Sequence, residues 1–280
     1  MHIVQPHTIV DNPLLREPTN GMPKIEGGWL IVEYLQNGTL FNFIMKATDQ
    51  DRTPKKLPNR LLWRFFLCLV KALIGLTYPL NLTGNPLVAE EIPHGFPAQS
   101  ISHHDLHTAN VMLGDVIMDP QHTITPALKL IDFGLAQRIN PNWPKPSARD
   151  YADVAEIMIS LIQMELFPLA KYIGETYWFQ LDDDTQIETK AVQLVPGTPG
   201  YTNNSEWLDE DIRRLIIRML AKDVSVQPVL RELDRVISKA VLERDQNFYD
   251  GAETESDEAV EKAWRDIVLL PNDPDPNLED

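Results

Sequence analysis

The chain has 280 residues, 43% of them hydrophobic and 24% charged, enough to bury a sizeable core in one large or two modest domains. Its formal charge of −16 excludes nucleic acid and anionic membrane surfaces as main partners, because both demand basic surface. The charge is uneven: from Glu243 to Asp280 there are thirteen acids against three bases. The one cysteine, Cys68, lies in the apolar run "LLWRFFLCLV" and reads as a buried, inert thiol. Cysteine poverty, the lack of a charged-then-apolar leader and the lack of a long apolar run predict an intracellular protein, cytoplasmic or nuclear.

In chain order, residues 1–28 are rich in proline and glycine and show no helical period. "GGWLIVEYL" (27–35) reads as a β-strand, and "NGTLFNFIMKA" as a turn and a short helix. "NRLLWRFFLCLVKALIGL" (59–76) predicts a long helix, with Asn59, Arg64 and Lys71 marking its wetter face. The proline-punctuated stretch 79–100 reads as a loop. "VMLGDVIM" and "ALKLIDF" predict a β-hairpin, and "RDYADVAEIMISLIQM" a helix with acids at its N-terminus, where the helix dipole favours them. "DEDIRRLIIRMLAKD" and "PVLRELDRVISKAVLERD" predict two more helices. The acidic segment 245–280 is expected to be largely disordered, with a short helix over 258–270 whose Val260, Trp264, Ile267 and Val268 share a face for docking on the parent domain or on a partner.

The densest chemistry lies in "HHDLHTANVML" (103–113). A metal cluster of His103, His104, Asp105 and His107 is one reading, since positions 103 and 107 have the i, i+4 spacing of helical zinc ligands. The segment lies between a proline-rich loop and a strand, however, and no distant Cys/His group completes a set. A histidine-aspartate phosphohydrolase would need further ligands on surrounding helices, and none can be nominated. The third reading explains more residues. Asp105 and Asn110 form D-x-x-x-x-N directly before a strand, and Asp132 follows 22 residues after the asparagine in "LIDFG". Phosphoryl transfer to a hydroxyl needs such a set: a carboxylate (Asp105) to take the acceptor's proton, and an amide and a second carboxylate (Asn110, Asp132) to hold Mg²⁺ through oxygen.

With these residues the chain resembles the protein kinase family from about residue 28 to about 240. "HHDLHTANVML" resembles H-R-D-L-K-x-x-N, "LKLIDFGLA" resembles the D-F-G segment, and "DYADVAEIMISLI" the long central helix. The resemblance implies an α+β, protein-kinase-like fold with three regions: an N-lobe remnant over 1–28, a hinge and mainly helical C-lobe with a small β-hairpin over 29–244, and the acidic tail. It implies ATP and Mg²⁺ as cofactors, Asp105, His107, Asn110 and Asp132 as the catalytic set, and Asn110 and Asp132 as metal ligands. It also places adenine against Glu33 to Leu35 with Met112 beneath the ring, and has Asp150 buttressing the catalytic loop.

The departures bear on activity. Nothing before Gly27 matches a glycine-rich phosphate loop or a phosphate-aligning lysine strand. His104 replaces the arginine that reads an activation-loop phosphate, and His107 the lysine that neutralises the transferred phosphate. H-x-D-L-H-x-x-N is also similar to small-molecule kinases of the aminoglycoside and choline type. Two functions follow: a divergent phosphotransferase acting on a protein hydroxyl, its activity weakened or lost, or an inactive pseudokinase that binds and scaffolds protein partners. "GTPGY" (197–201), similar to the end of an activation segment, falls too late in the chain for that role and is assigned to a loop.

Overall fold

The computed structural model describes residues 2–6, 30–48, 56–79, 90–94, 101–117, 119–139, 148–182, 184–201 and 207–270. The architecture is α+β. Helices α1 (Leu40–Thr48) and α2 (Asn59–Thr77) precede strands β1 (Ile101–Ser102), β2 (Val111–Val116), β3 (Pro126–Leu130) and β4 (Gln137–Arg138). Helix α3 (Ala148–Gln163) follows, then β5 (Tyr177–Gln180), β6 (Gln186–Thr189), and helices α4 (Glu210–Met219), α5 (Leu230–Glu243) and α6 (Asp257–Val268). The strands pair antiparallel in twos: β1 with β4, β2 with β3, β5 with β6. No helix among the described residues is long and apolar enough to cross a membrane.

Helix α2 is the centre of the core, packed by α5, β3 and α3, and all nineteen of its residues are buried. The wetter face expected at Asn59, Arg64 and Lys71 is therefore absent. A buried polar group must find a partner, and each does: Arg64 Nη1 donates to Gln121 O, Lys71 Nζ pairs with Asp234 at 2.8 Å, and Asn59 Nδ2 donates to Trp207 O at 3.2 Å. Pro58 at the N-cap offers no side-chain acceptor. The Glu255 carboxylate caps the helix instead, accepting the amides of Asn59 and Arg60 at 2.7 and 3.0 Å.

Glu255 belongs to the segment expected to be largely disordered. Residues 247–249 and 253–255 form 3₁₀ turns, and α6 follows with Ser256 as its N-cap, the hydroxyl accepting Ala259 N–H at 3.1 Å. Val260, Trp264 and Ile267 bury against the core, and Trp264 Nε1 donates to Ile124 O at 2.9 Å. The acidic composition misleads because one apolar stripe and one capping carboxylate suffice to anchor α6. Its apolar face is docked on the parent domain; residues 271–280 lie outside the described residues.

The expected strand over 27–35 is reduced to one isolated bridge, Pro6 with Val32, and residues 27–29 lie outside the described residues. Of the region read as an N-lobe remnant, residues 2–6 run along the end of β3. Leu130 N–H donates to His2 O and Val4 N–H to Leu130 O, both at 2.9 Å.

Candidate active site

The segment 103–110 links β1 to β2, and Asp150, fully buried in the first turn of α3, braces it. Its carboxylate accepts the backbone N–H of His103 at 3.2 Å and of His104 at 3.4 Å. His104 is held at φ 63°, a left-handed conformation unfavourable for a side chain with a Cβ, and the two hydrogen bonds to Asp150 compensate for it. The imidazole of His103 is buried, packs tilted by 56° against Phe133 with ring centroids 5.0 Å apart, and donates from Nε2 to Ile131 O at 2.9 Å. His103, His104, Asp105 and His107 therefore do not converge as metal ligands among the described residues.

His107 caps a 3₁₀ turn over Thr108–Asn110, its Nδ1 accepting Ala109 N–H at 3.2 Å. Asn110 points its amide back: Nδ2 donates to Asp105 O at 2.8 Å and to Asp105 Oδ2 at 3.1 Å. With the amide hydrogens committed, Oδ1 is the atom of Asn110 left to meet a cation. His107 Nε2 lies 3.7 Å from Asp105 Oδ2, so Asp105, His107 and Asn110 form one cluster. The ladder brings in Asp132: Val111 pairs with Leu130, and Ile131 N–H donates to Asn110 O at 3.0 Å, one residue before Asp132. Asp132 stands at φ 58°, which aspartate tolerates better than most residues, and its Oδ1 accepts Gly134 N–H at 3.1 Å. A Cβ on Gly134 would sit 3.1 Å from that same oxygen, so this close turn favours glycine.

The three residues expected around adenine are placed differently from one another. Met112 is half-buried and bridges to Thr39, and Leu35 is buried beside Gly114. Glu33 is engaged on both sides. Its carboxylate pairs with Lys129 and accepts Gln5 N–H, while its own N–H donates to Gln5 O at 3.0 Å. The Glu33 backbone N–H, within the segment expected against adenine, is thus satisfied by the chain itself.

Beside Asp105 opens a cleft of about 170 Å³ lined by Asp105, His107, Arg149, Asp153, Glu156 and Phe167, among others. In the sequence Asp153 and Glu156 read only as acids near a helix start; their i, i+3 spacing on α3 was the available sign that they share a face. Burial, reinforced by the nearby Asp150, Glu156 and Asp105 carboxylates, pushes Asp153 from 3.8 up to about 7 against the opposing pull of Arg149. Its Oδ2 accepts no hydrogen bond among the described residues, and Arg149 approaches only to 3.8 Å. A carboxyl raised on folding binds its proton more tightly in the native state, so its contribution makes the protein more stable as pH falls from about 7 towards 4. Asp153→Asn should accordingly raise stability by about 1–3 kcal/mol above pH 7 and lose that advantage near pH 4. Thermal melts of both proteins across that range check this; equal pH slopes would refute it.

No protein-family model matches the chain.

Proposed function

We propose that the chain is a kinase-like phosphotransferase that moves the terminal phosphoryl group of ATP to a hydroxyl, with Mg²⁺ as the metal. The observation that carries this reading is the joining of Asp105 and Asn110 by two hydrogen bonds, on a loop braced by buried Asp150 and laddered to the residue before Asp132. The donor set fits a hard cation: Asn110 Oδ1 and the Asp132 carboxylate are oxygens, and the other polar atoms of Asn110 are committed elsewhere. Mg²⁺ held by these two would supply charge neutralisation for the phosphates. Asp105 holds the acceptor hydroxyl and takes its proton, and Asn110 Nδ2 keeps the carboxylate oriented for that transfer. His107 adds a polar contact to Asp105 from the cleft side.

The cleft bears on the acceptor. Asp105, Asp153 and Glu156 face it, with Arg149 as the cationic residue among its lining groups. A hydroxyl carried near a cationic group, on a basic peptide or an amino-bearing small molecule, suits that charge. A protein hydroxyl is the acceptor we favour.

The second reading is a pseudokinase that binds partners without turnover. The engagement of Glu33 N–H by Gln5 O favours it, because a nucleotide base would have to displace that bond. Incubating the full chain with Mg·ATP labelled at the terminal phosphate, with and without a mixture of basic peptides, separates the two. Transfer of label to chain or peptide supports the phosphotransferase. Absence of transfer together with no saturable nucleotide binding supports the second reading.

A further inference from the structure

Away from the candidate active site, three side chains distant in sequence meet inside the core. His2 Nε2 and His122 Nε2 lie 3.2 Å apart, and Cys68 Sγ lies 3.3 Å from His122 Nε2. These ligand atoms all fall within 4.8 Å of one another, and the three residues are at most 1% exposed.

The hydrogen bonds on the far side of each ring decide what the near side can be. His2 Nδ1 lies 2.8 Å from Glu90 Oε2, and His122 Nδ1 lies 2.9 Å from Asp119 Oδ2. Ionised carboxylates only accept, so each ring carries its hydrogen on Nδ1. The two Nε2 atoms then face one another as acceptors at 3.2 Å, and the Cys68 thiol, 3.3 Å from His122 Nε2, has one hydrogen to offer where a cation would satisfy both rings and the sulfur. A carboxylate behind each histidine is also the arrangement that fixes the tautomer and raises the basicity of metal-bound imidazoles.

We propose that His2, Cys68 and His122 form a buried site for a borderline-soft divalent metal ion of the zinc class. With Zn–N near 2.1 Å and Zn–S near 2.3 Å, a tetrahedral ion holds two nitrogens about 3.4 Å apart and a nitrogen and a sulfur about 3.6 Å apart. The observed 3.2 and 3.3 Å lie within about 0.3 Å of these spans, and the third edge, His2 Nε2 to Cys68 Sγ, lies within 4.8 Å and closes towards about 3.6 Å on binding. A thiolate and two imidazoles select zinc-like ions over Mg²⁺ or Ca²⁺, which take oxygen. On binding, the metal–sulfur bond forms as the thiol proton leaves to solvent, and both imidazoles bind as neutral ligands with no redox change. The ion ties three separate pieces together: the segment at 2–6, helix α2, and the connection from β2 to β3. Its role is structural, pinning residues 2–6 along β3 where His2 O and Val4 N–H bond Leu130.

The test uses the full chain, reduced, stripped with a chelator and titrated with Co²⁺ alone near neutral pH. One equivalent should bind with a thiolate-to-cobalt charge-transfer band and the visible bands of a tetrahedral ion, and Zn²⁺ should displace it. Cys68→Ala should remove the charge-transfer band. Asp119→Asn keeps all three ligands and should weaken binding by about 10–100-fold, which holds the test open if a ligand variant fails to fold. Amide exchange at Leu130 should quicken when the ion is removed. Lack of cobalt uptake by the folded wild type would overturn the proposal and leave a proton shared between the rings. A charge-transfer band that survives in Cys68→Ala would overturn it equally.

Discussion

Asp105→Asn is expected to lower phosphoryl transfer by about 10²–10⁴-fold, the usual worth of a positioned general base, while leaving the melting temperature nearly unchanged. The amide is isosteric with the carboxylate, and its oxygen can still accept from Asn110 Nδ2, the bond that now spans 3.1 Å. The backbone contribution, Asn110 Nδ2 to Asp105 O at 2.8 Å, is untouched. What is lost is the capacity to take a proton. Asp153 and Glu156 line the same cleft but stand outside the Asp105–Asn110 hydrogen bonds, so neither is placed to substitute. Initial rates with Mg·ATP, measured beside circular-dichroism melts, check both halves; a variant as active as wild type would remove Asp105 from the chemistry.

Trp264→Ala should destabilise the fold by about 3–5 kcal/mol, as expected for a large aromatic truncated in a core. Trp264 is 5% exposed, and removing its indole also leaves Ile124 O without its donor. Trp264→Phe keeps most of the packing and loses only the hydrogen bond, so it should cost about 1 kcal/mol. Urea unfolding of the three proteins gives the comparison. If Trp264→Ala unfolded at the wild-type midpoint, α6 would be a loosely attached appendage rather than part of the core.

The local parts of this account were legible in the sequence. The apolar run at 59–76 does form α2, the alternating segments after Asn110 do pair as β2 and β3, and Asp150 does reach the loop at 103–104. What local pattern could not show is where partners arrive from. Asn59 is buried because Glu255, 196 residues away, comes to its amide, and no periodicity within α2 records that. The same holds for His2 and His122, 120 residues apart, and for Cys68, which read as an inert thiol because its histidine neighbours are distant in the chain. The β5–β6 hairpin was missed for a different reason. Tyr177 and Phe179 are half-buried against the core while Trp178 faces solvent, so the unbroken aromatic run hid the two-residue alternation. At the candidate active site the residue types and spacing were readable, but the cleft carboxylates and the bond from Gln5 to Glu33 emerge only from the packing of separate segments.

Calorimetric titration of the full chain with Mg·ATP, wild type beside Asp132→Ala, tests the central claim most directly. The phosphotransferase reading predicts saturable binding by wild type that depends on Mg²⁺ and is weakened at least about tenfold in the variant, a loss of about 1.4 kcal/mol. Wild type that binds no nucleotide, or binds it equally well without Asp132, would contradict it.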